Sequence, residues 1–254
     1  MTTSKPARPA AESAGGAHSP APYPVACDGA AAAAQGSPVH DVAFDFGGVL
    51  VEWDARGALM ARYSAEATER FLTDPACGFS RAVAVTDGGG TIAEAHALLD
   101  REVGAPWVDM YDYYAAHYED TLVGTVPGAL RLVSDLREAG VGVWGISNWG
   151  AQDFPVALRL FPVFSQLDGY VISGRTGLVK PHADMFSLAL SRFGTDPATT
   201  LFVDDRADNV AGANGVGMRG VVFGGSMRSL RQTLVALGVA IPCGELPAGP
   251  AGLR

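Results

Sequence analysis

Cysteine is scarce in this 254-residue chain, with Cys27, Cys77 and Cys243 as its whole supply. An odd, widely spaced set excludes a disulfide framework, and the lack of a Cys-x-x-Cys pair or Cys/His cluster argues against structural zinc. Positive charge is also short: 18 Lys and Arg stand against 27 Asp and Glu, for a net charge of -9. Such a chain has no electrostatic footprint for nucleic acid, although a few local cations and a metal can still hold a small anion. No apolar run approaches the roughly 20 residues that span a bilayer. Lys5 and Arg8 precede a Pro/Ala/Gly mixture rather than the apolar stretch of a secretory signal. The expectation is a cytoplasmic protein with reduced cysteines and no membrane or nucleic-acid partner. Nothing in the pattern fixes an oligomeric state.

Large apolar residues are nearly missing from residues 1–40, where Ala, Pro, Gly and Ser make up 26 of the 40. A segment of that composition buries too little surface to offset its ordering entropy, so a disordered tail is expected. A flexible tail is also expected over 239–254.

What is present between the tails alternates. Apolar runs at Val42–Phe46, Val141–Ile146, Tyr170–Ile172, Leu201–Val203 and Gly220–Phe223 read as buried strands. Amphipathic patterns at Pro127–Gly140, Pro181–Phe193, Asn209–Val216 and Ser226–Leu237 read as helices. Strand–helix alternation predicts an α/β domain with a Rossmann-like parallel sheet over 41–54 and 123–238. Residues 55–122 break the rhythm. They show no clear strand and read as helices at Ala55–Tyr63, Ala65–Leu72, Ile92–Glu102 and Trp107–Leu122. This predicts a helical cap subdomain inserted after the first strand.

In open α/β sheets, ligands bind beyond the carboxyl ends of the strands. The polar residues there are Asp45 after the first strand, Ser147 and Asn148 after the second, and Asp204 and Asp205 after the fourth. Lys180 precedes a helix start at Pro181. Carboxylates from two strands can hold a hard divalent ion such as Mg2+ through oxygen. An ammonium and a hydroxyl can bind the oxygens of a phosphoryl group. An in-line carboxylate can attack phosphorus. Taken singly, each residue has an ordinary explanation: a turn former, a loop serine, a helix cap, a solvated lysine. The ordered set is what points to chemistry.

Four segments carry a family resemblance. They are residues 44–50 (Phe-Asp-Phe-Gly-Gly-Val-Leu), 146–148 (Ile-Ser-Asn), 177–181 (Gly-Leu-Val-Lys-Pro) and 202–214, which opens Phe-Val-Asp-Asp-Arg-Ala-Asp-Asn. In order and spacing these resemble the motifs of the haloacid dehalogenase superfamily, in the subgroup with a helical cap, which includes sugar-phosphate phosphatases. The resemblance implies Asp45 as nucleophile and metal ligand, Asp205 as second metal carboxylate and the Gly47 carbonyl as third ligand. It implies Ser147 and Lys180 as phosphoryl-binding residues, with Asn148 orienting groups near the phosphate. It implies Asp204 and Asn209 as supports of the metal or its waters. The implied function is Mg2+-dependent hydrolysis of a small phosphorylated metabolite through an aspartyl-phosphate. A 2-haloacid dehalogenase and a non-catalytic phosphometabolite-binding protein are the alternatives.

Gly47 departs from the pattern, since many relatives carry an aspartate there as general acid and base. The departing oxygen would then take its proton from water or a cap residue. Turnover is expected to depend steeply on leaving-group basicity, with alkyl phosphates poor. Arg206 either adds charge beside the phosphate or points to solvent. Trp149 is expected to wall the pocket. Of Trp107, Tyr111, Tyr113, Tyr114 and Tyr118, most are expected in packing and one or two facing substrate. His96 and His117 are expected in packing or on the surface.

Overall fold

The computed structural model describes residues 38–242. The tail expected over 1–40 lies outside the described residues as far as residue 37. Residues 39 and 40 belong to the folded part: Val39 is buried, and His40 N donates to Thr199 O at 2.9 Å, continuing the sheet ladder.

Five parallel strands form the core sheet: β1 (Asp41–Phe44), β4 (Gly142–Ser147), β5 (Gly169–Ile172), β6 (Thr200–Asp204) and β7 (Arg219–Val222), in the order β5-β4-β1-β6-β7. The parallel registers run Phe44 against Gly145 on one side and against Val203 on the other. Val42 and Phe44 face one apolar layer while Ala43 faces the other. Burial on both faces explains why the central strands read as unbroken apolar runs. One layer takes Met185, Phe186 and Ala189 of α8 (Ala183–Phe193) and Ala213 of α9 (Ala207–Gly215). The other takes Leu132 and Leu136 of α6 (Ala129–Glu138) and Leu230 and Leu234 of α10 (Met227–Ala236). A buried pair, Arg231 Nη1 to Asp135 Oδ2 at 2.6 Å, ties α10 to α6.

Chain order around β1 reverses between β1 and β6, so the crevice of the sheet opens beyond their carboxyl ends. β1 ends in a tight turn in which the amides of Val49, Leu50 and Val51 all donate to Phe46 O. The Phe46 ring anchors that turn. It lies 4.8 Å from Phe164 edge-on and 5.7 Å from Phe154 in a stack.

Two strands were not evident in the sequence. β2 (Val51–Trp53) pairs antiparallel with β3 (Leu122–Thr125). Their exposed Trp53 and Val123 break the apolar pattern that marks the core strands. The chain leaves and re-enters the core through this ribbon. Between them lie α1 (Arg56–Leu59), α2 (Ala65–Thr73), α3 (Phe79–Asp87), α4 (Ile92–Glu102) and α5 (Trp107–Ala116). Three differences from expectation stand out here. The helix expected over Ala55–Tyr63 is one short turn. The helix expected to run from Trp107 to Leu122 stops at Ala116, because His117 leaves helical geometry (φ -114°, ψ 29°), and a 3-10 turn follows at Tyr118–Thr121. α3 was not anticipated. A capping box closes the start of α4, where Thr91 Oγ1 accepts from Glu94 N at 3.1 Å and Glu94 Oε2 accepts from Thr91 N at 2.7 Å. The helices hold together through rings, with Phe71 between Phe79 (5.1 Å) and Trp107 (6.1 Å).

α7 (Phe154–Leu160) was also unanticipated, although Asp153 and Pro155 mark its start. Val239 and Ile241 are buried, and Arg231 Nη1 donates to Pro242 O at 2.8 Å, so the tail expected from 239 is packed at least as far as Pro242. Two apolar side chains there have core surface to cover. No helix among the described residues is long and apolar enough to cross a membrane.

Candidate active site

A cavity of about 470 Å³ opens above the carboxyl ends of β1, β4 and β6, between the sheet and the helices inserted after β2. Asp45, Gly47, Ser147, Asn148, Lys180, Asp205 and Asn209 line it, so seven of the eight residues singled out in the sequence meet in one place. The eighth, Asp204, lies just beneath.

Lys180 is the hub. Its Nζ stands 2.8 Å from Asp45 Oδ1 and 2.6 Å from Asp204 Oδ2, with all three side chains largely out of water. Asp204 is enclosed further: Asn209 Nδ2 donates to both its oxygens at 3.0 Å, and Arg206 N donates to Oδ1 at 2.9 Å. Asn209 thus holds Asp204, and Asp204 holds the lysine. Asn148 acts on the same residue from the other side. Its Nδ2 donates to Lys180 O at 3.0 Å and its Oδ1 accepts from Lys180 N at 2.8 Å.

Asp45 Oδ1 also accepts from Phe46 N at 2.6 Å, and Ser147 lines the same cavity. Burial pushes the Asp45 carboxyl above its usual range, and the Lys180 ammonium pulls it back. Burial and the neighbouring Asp204 charge likewise raise Asp205. Gly48 adopts φ +75°, and a Cβ there would lie 2.7 Å from Asp205 Oδ2, so only glycine lets the β1 turn pass that carboxylate.

Oxygens of Asp45, Asp204 and Asp205 lie within 4.8 Å of one another. An all-oxygen set with more negative charge than Lys180 neutralises fits a hard divalent cation such as Mg2+. Lys180 and Asn209 occupy Asp204, which leaves Asp45 and Asp205 as the carboxylates of this set more open to a metal.

The insert contributes Val83, Thr86, Asp87, Tyr111, Tyr114, Ala115 and Tyr118 to the cavity. Trp149 does wall it, as do Tyr111, Tyr114 and Tyr118. Trp107 instead stacks on Phe71, and Tyr113 packs edge-on against Tyr63 and at a tilt against His117. His96 and His117 sit at the surface beside Asp112 and Asp120. Arg206 lines the mouth but is largely exposed, its guanidinium forked onto Asp208 at 2.7 and 3.1 Å.

Two cavity residues escaped sequence reasoning. Asp87, at the end of α3, has its carboxyl raised to about 7, by burial first and then by the charges of Asp153 and Asp45. Asp153, before α7, is raised to about 6 by burial. The available signal was the Gly88–Gly90 run after Asp87, which marks a turn in close contact with another backbone.

Residues 42–217 match the family model of the haloacid dehalogenase-like hydrolases. The chain belongs to that family and is a hydrolase. It is 28% identical over 191 residues to a sesquiterpene phosphatase of Aspergillus oryzae, covering 70% of this chain and 86% of the relative. It is 29% identical over 167 residues to a ribulose-1,5-bisphosphate 5-phosphatase of Halopiger xanaduensis, covering 65% and 62% respectively. Among solved structures, it resembles a haloacid dehalogenase-family enzyme of Bacteroides thetaiotaomicron in complex with magnesium and inorganic phosphate. That match has a TM-score of 0.55 at 21% identity and covers 72% of this chain and 93% of the other.

Proposed function

We propose that this hydrolase is a Mg2+-dependent phosphomonoesterase that acts on a small phosphorylated metabolite through a phosphoryl group carried on Asp45. The observation that carries the proposal is the Lys180 hub, which sets one ammonium against Asp45 at the floor of a cavity that also holds Ser147 and Asp205. The phosphatases among its relatives support the same reading.

A magnesium ion held by Asp45, Asp205 and the Gly47 carbonyl would offset charge between a carboxylate and a phosphoryl dianion. Lys180 Nζ and the Ser147 hydroxyl bind phosphoryl oxygens and keep phosphorus in line with Asp45. An Asp45 oxygen then forms a bond to phosphorus as the ester P–O bond breaks. Water attacks the aspartyl-phosphate in turn and releases phosphate. Asn148 and Asp204 act through Lys180, which they hold from its backbone and its ammonium.

A metal-free dehalogenase fits less well, because it shares the Asp45 nucleophile but would leave the Asp204 and Asp205 carboxylates beside an anionic substrate with no metal to offset them. The test is phosphate release from a panel of phosphorylated metabolites with Mg2+ and with EDTA, beside acid release from 2-haloacids. Mg2+-dependent phosphate release is expected. Halide release indifferent to EDTA would select the dehalogenase, and binding without either product would select the non-catalytic alternative.

A further inference from the structure

Breaking an ester P–O bond leaves the electron pair on oxygen, and an alkoxide is a poor leaving group unless it is protonated as it departs. Beside Asp45 the core has little to offer. Gly47 has no side chain, and the space a Cβ would enter there holds nothing within 4 Å. Lys180 is taken up by two carboxylates, and Asp204 is closed off beneath it. A donor has to come from the opposite wall.

That wall is set by the end of α3. Gly89 adopts φ +94°, and a Cβ built there would lie 3.4 Å from the Cα of Gly177, in the loop that leads to Lys180. Ile92 N donates to Gln152 Oε1 at 2.7 Å, fastening the next turn to the segment that carries Asp153. A Cβ at Gly150 would meet Asp153 Oδ2 at 3.0 Å and the Thr86 Cβ at 3.3 Å, so the two segments also close on each other beside Asp87. The insert is therefore docked on the core at the point where Asp87 enters the cavity.

Resting on the phosphoryl-transfer reading above, we propose that Asp87, which the insert presents to the cavity that holds Asp45, is the proton donor to the leaving oxygen, with Asp153, on the segment docked beside it, as its positioning residue. The Asp87 carboxyl gives its proton to the departing oxygen, which leaves as an alcohol. The Asp87 carboxylate then takes a proton from the water that attacks phosphorus on Asp45, and both groups return to their starting states. A donor titrating near neutrality is matched to this double duty. The charges that act on Asp87 are Asp153 and Asp45, which raise it, and Lys180, which lowers it. Tyr111 and Tyr114 face it from α5 and Tyr118 from the turn after; all three phenols are held above their usual range, chiefly by burial. Glu94 of α4 is turned to Thr91, and Arg175 lies over the rings of Phe154 and Tyr170.

The experiment compares aryl and alkyl phosphates of graded leaving-group pKa with Mg2+, in the parent, in Asp87→Asn and in Asp153→Asn. The parent is expected to show a shallow dependence of kcat/KM on leaving-group pKa. Asp87→Asn should lose about 10²–10⁴-fold on alkyl esters and far less on aryl esters. The steep dependence expected from Gly47 alone then belongs to that variant. Asp153→Asn should move the alkaline limb of the alkyl-ester profile to lower pH. A steep series in the parent, or an equal loss on both ester classes in Asp87→Asn, would overturn the assignment. Failure of the parent to release phosphate from any ester would instead overturn the phosphatase reading beneath it.

Discussion

Lys180 Nζ lies 2.8 Å from Asp45 Oδ1, with the lysine side chain 1% and the aspartate side chain 11% exposed. Because Asp204 holds the same ammonium at 2.6 Å, one buried cation serves two buried anions. Removing one partner of such a group leaves uncompensated charge and typically costs about 3–5 kcal/mol. Lys180→Met should therefore lower unfolding stability by about 3 kcal/mol at pH 7 in denaturant titrations. The deficit should shrink as pH falls and the orphaned carboxylates take up protons. A deficit that stays constant down to pH 4 would show that it comes from lost packing and not from charge.

Asp205→Ala should abolish phosphate release, and added Mg2+ should not restore it. The parent treated with EDTA should lose activity and regain it with Mg2+. Asp205 holds neither Lys180 nor the fold of the β1 turn, so its variant should keep the parent's melting temperature. Full turnover by Asp205→Ala would remove this residue from the metal set.

The Asp87 carboxyl is raised to about 7, so the folded state keeps a proton that the unfolded chain, near 4, gives up. The resulting stability is fully present below about pH 4 and is lost as pH rises through about 7. Asp87→Asn should stabilise the metal-free protein at pH 8, by about 1–2 kcal/mol after allowing for water in the cavity, and change little at pH 4. Equal effects at both pH values would contradict a raised carboxyl.

Those three residues differ in how far the sequence disclosed them. Asp205 stands out at a strand end, and Lys180, in the loop before Pro181, was picked out with the ordered set of motifs. The β1, β4 and β6 segments are apolar because both sheet faces are covered, and the polar residues at their ends are then conspicuous. Asp87 lies in an unanticipated helix. α3 begins at Gly78 in left-handed geometry with no side-chain cap, so it lacks the start signal that Thr91 gives α4. Its carboxyl reaches the cavity only through the docking of Gly89 on Gly177, a contact between segments far apart in sequence. β2 and β3 were hidden for another reason: three or four residues with exposed Glu52, Trp53 and Val123 show no apolar alternation. The clamps on Lys180 were half legible. Asn148 and Asn209 were placed at the site, but their bonds to Lys180 O and to Asp204 depend on pairing that no local pattern encodes.

Thr91→Ala removes the hydroxyl that accepts from Glu94 N at 3.1 Å. Loss of such a cap typically costs about 0.5–2 kcal/mol. Because Thr91 follows the Gly88–Gly90 turn, the same variant should loosen the segment that presents Asp87. Its losses on alkyl phosphates should exceed those on aryl phosphates, which a purely global destabilisation would not produce.

The central claim is that Asp45 carries the phosphoryl group, and chemical trapping tests it most directly. The enzyme is mixed with Mg2+ and a phosphate ester, quenched in acid during turnover and reduced with borohydride. This converts an aspartyl-phosphate to homoserine, which peptide mass spectrometry locates. Homoserine is expected at position 45 only, dependent on substrate and absent from Asp45→Asn, which should release no phosphate. Steady phosphate release with position 45 unmodified, or from Asp45→Asn at a rate near the parent's, would contradict the account.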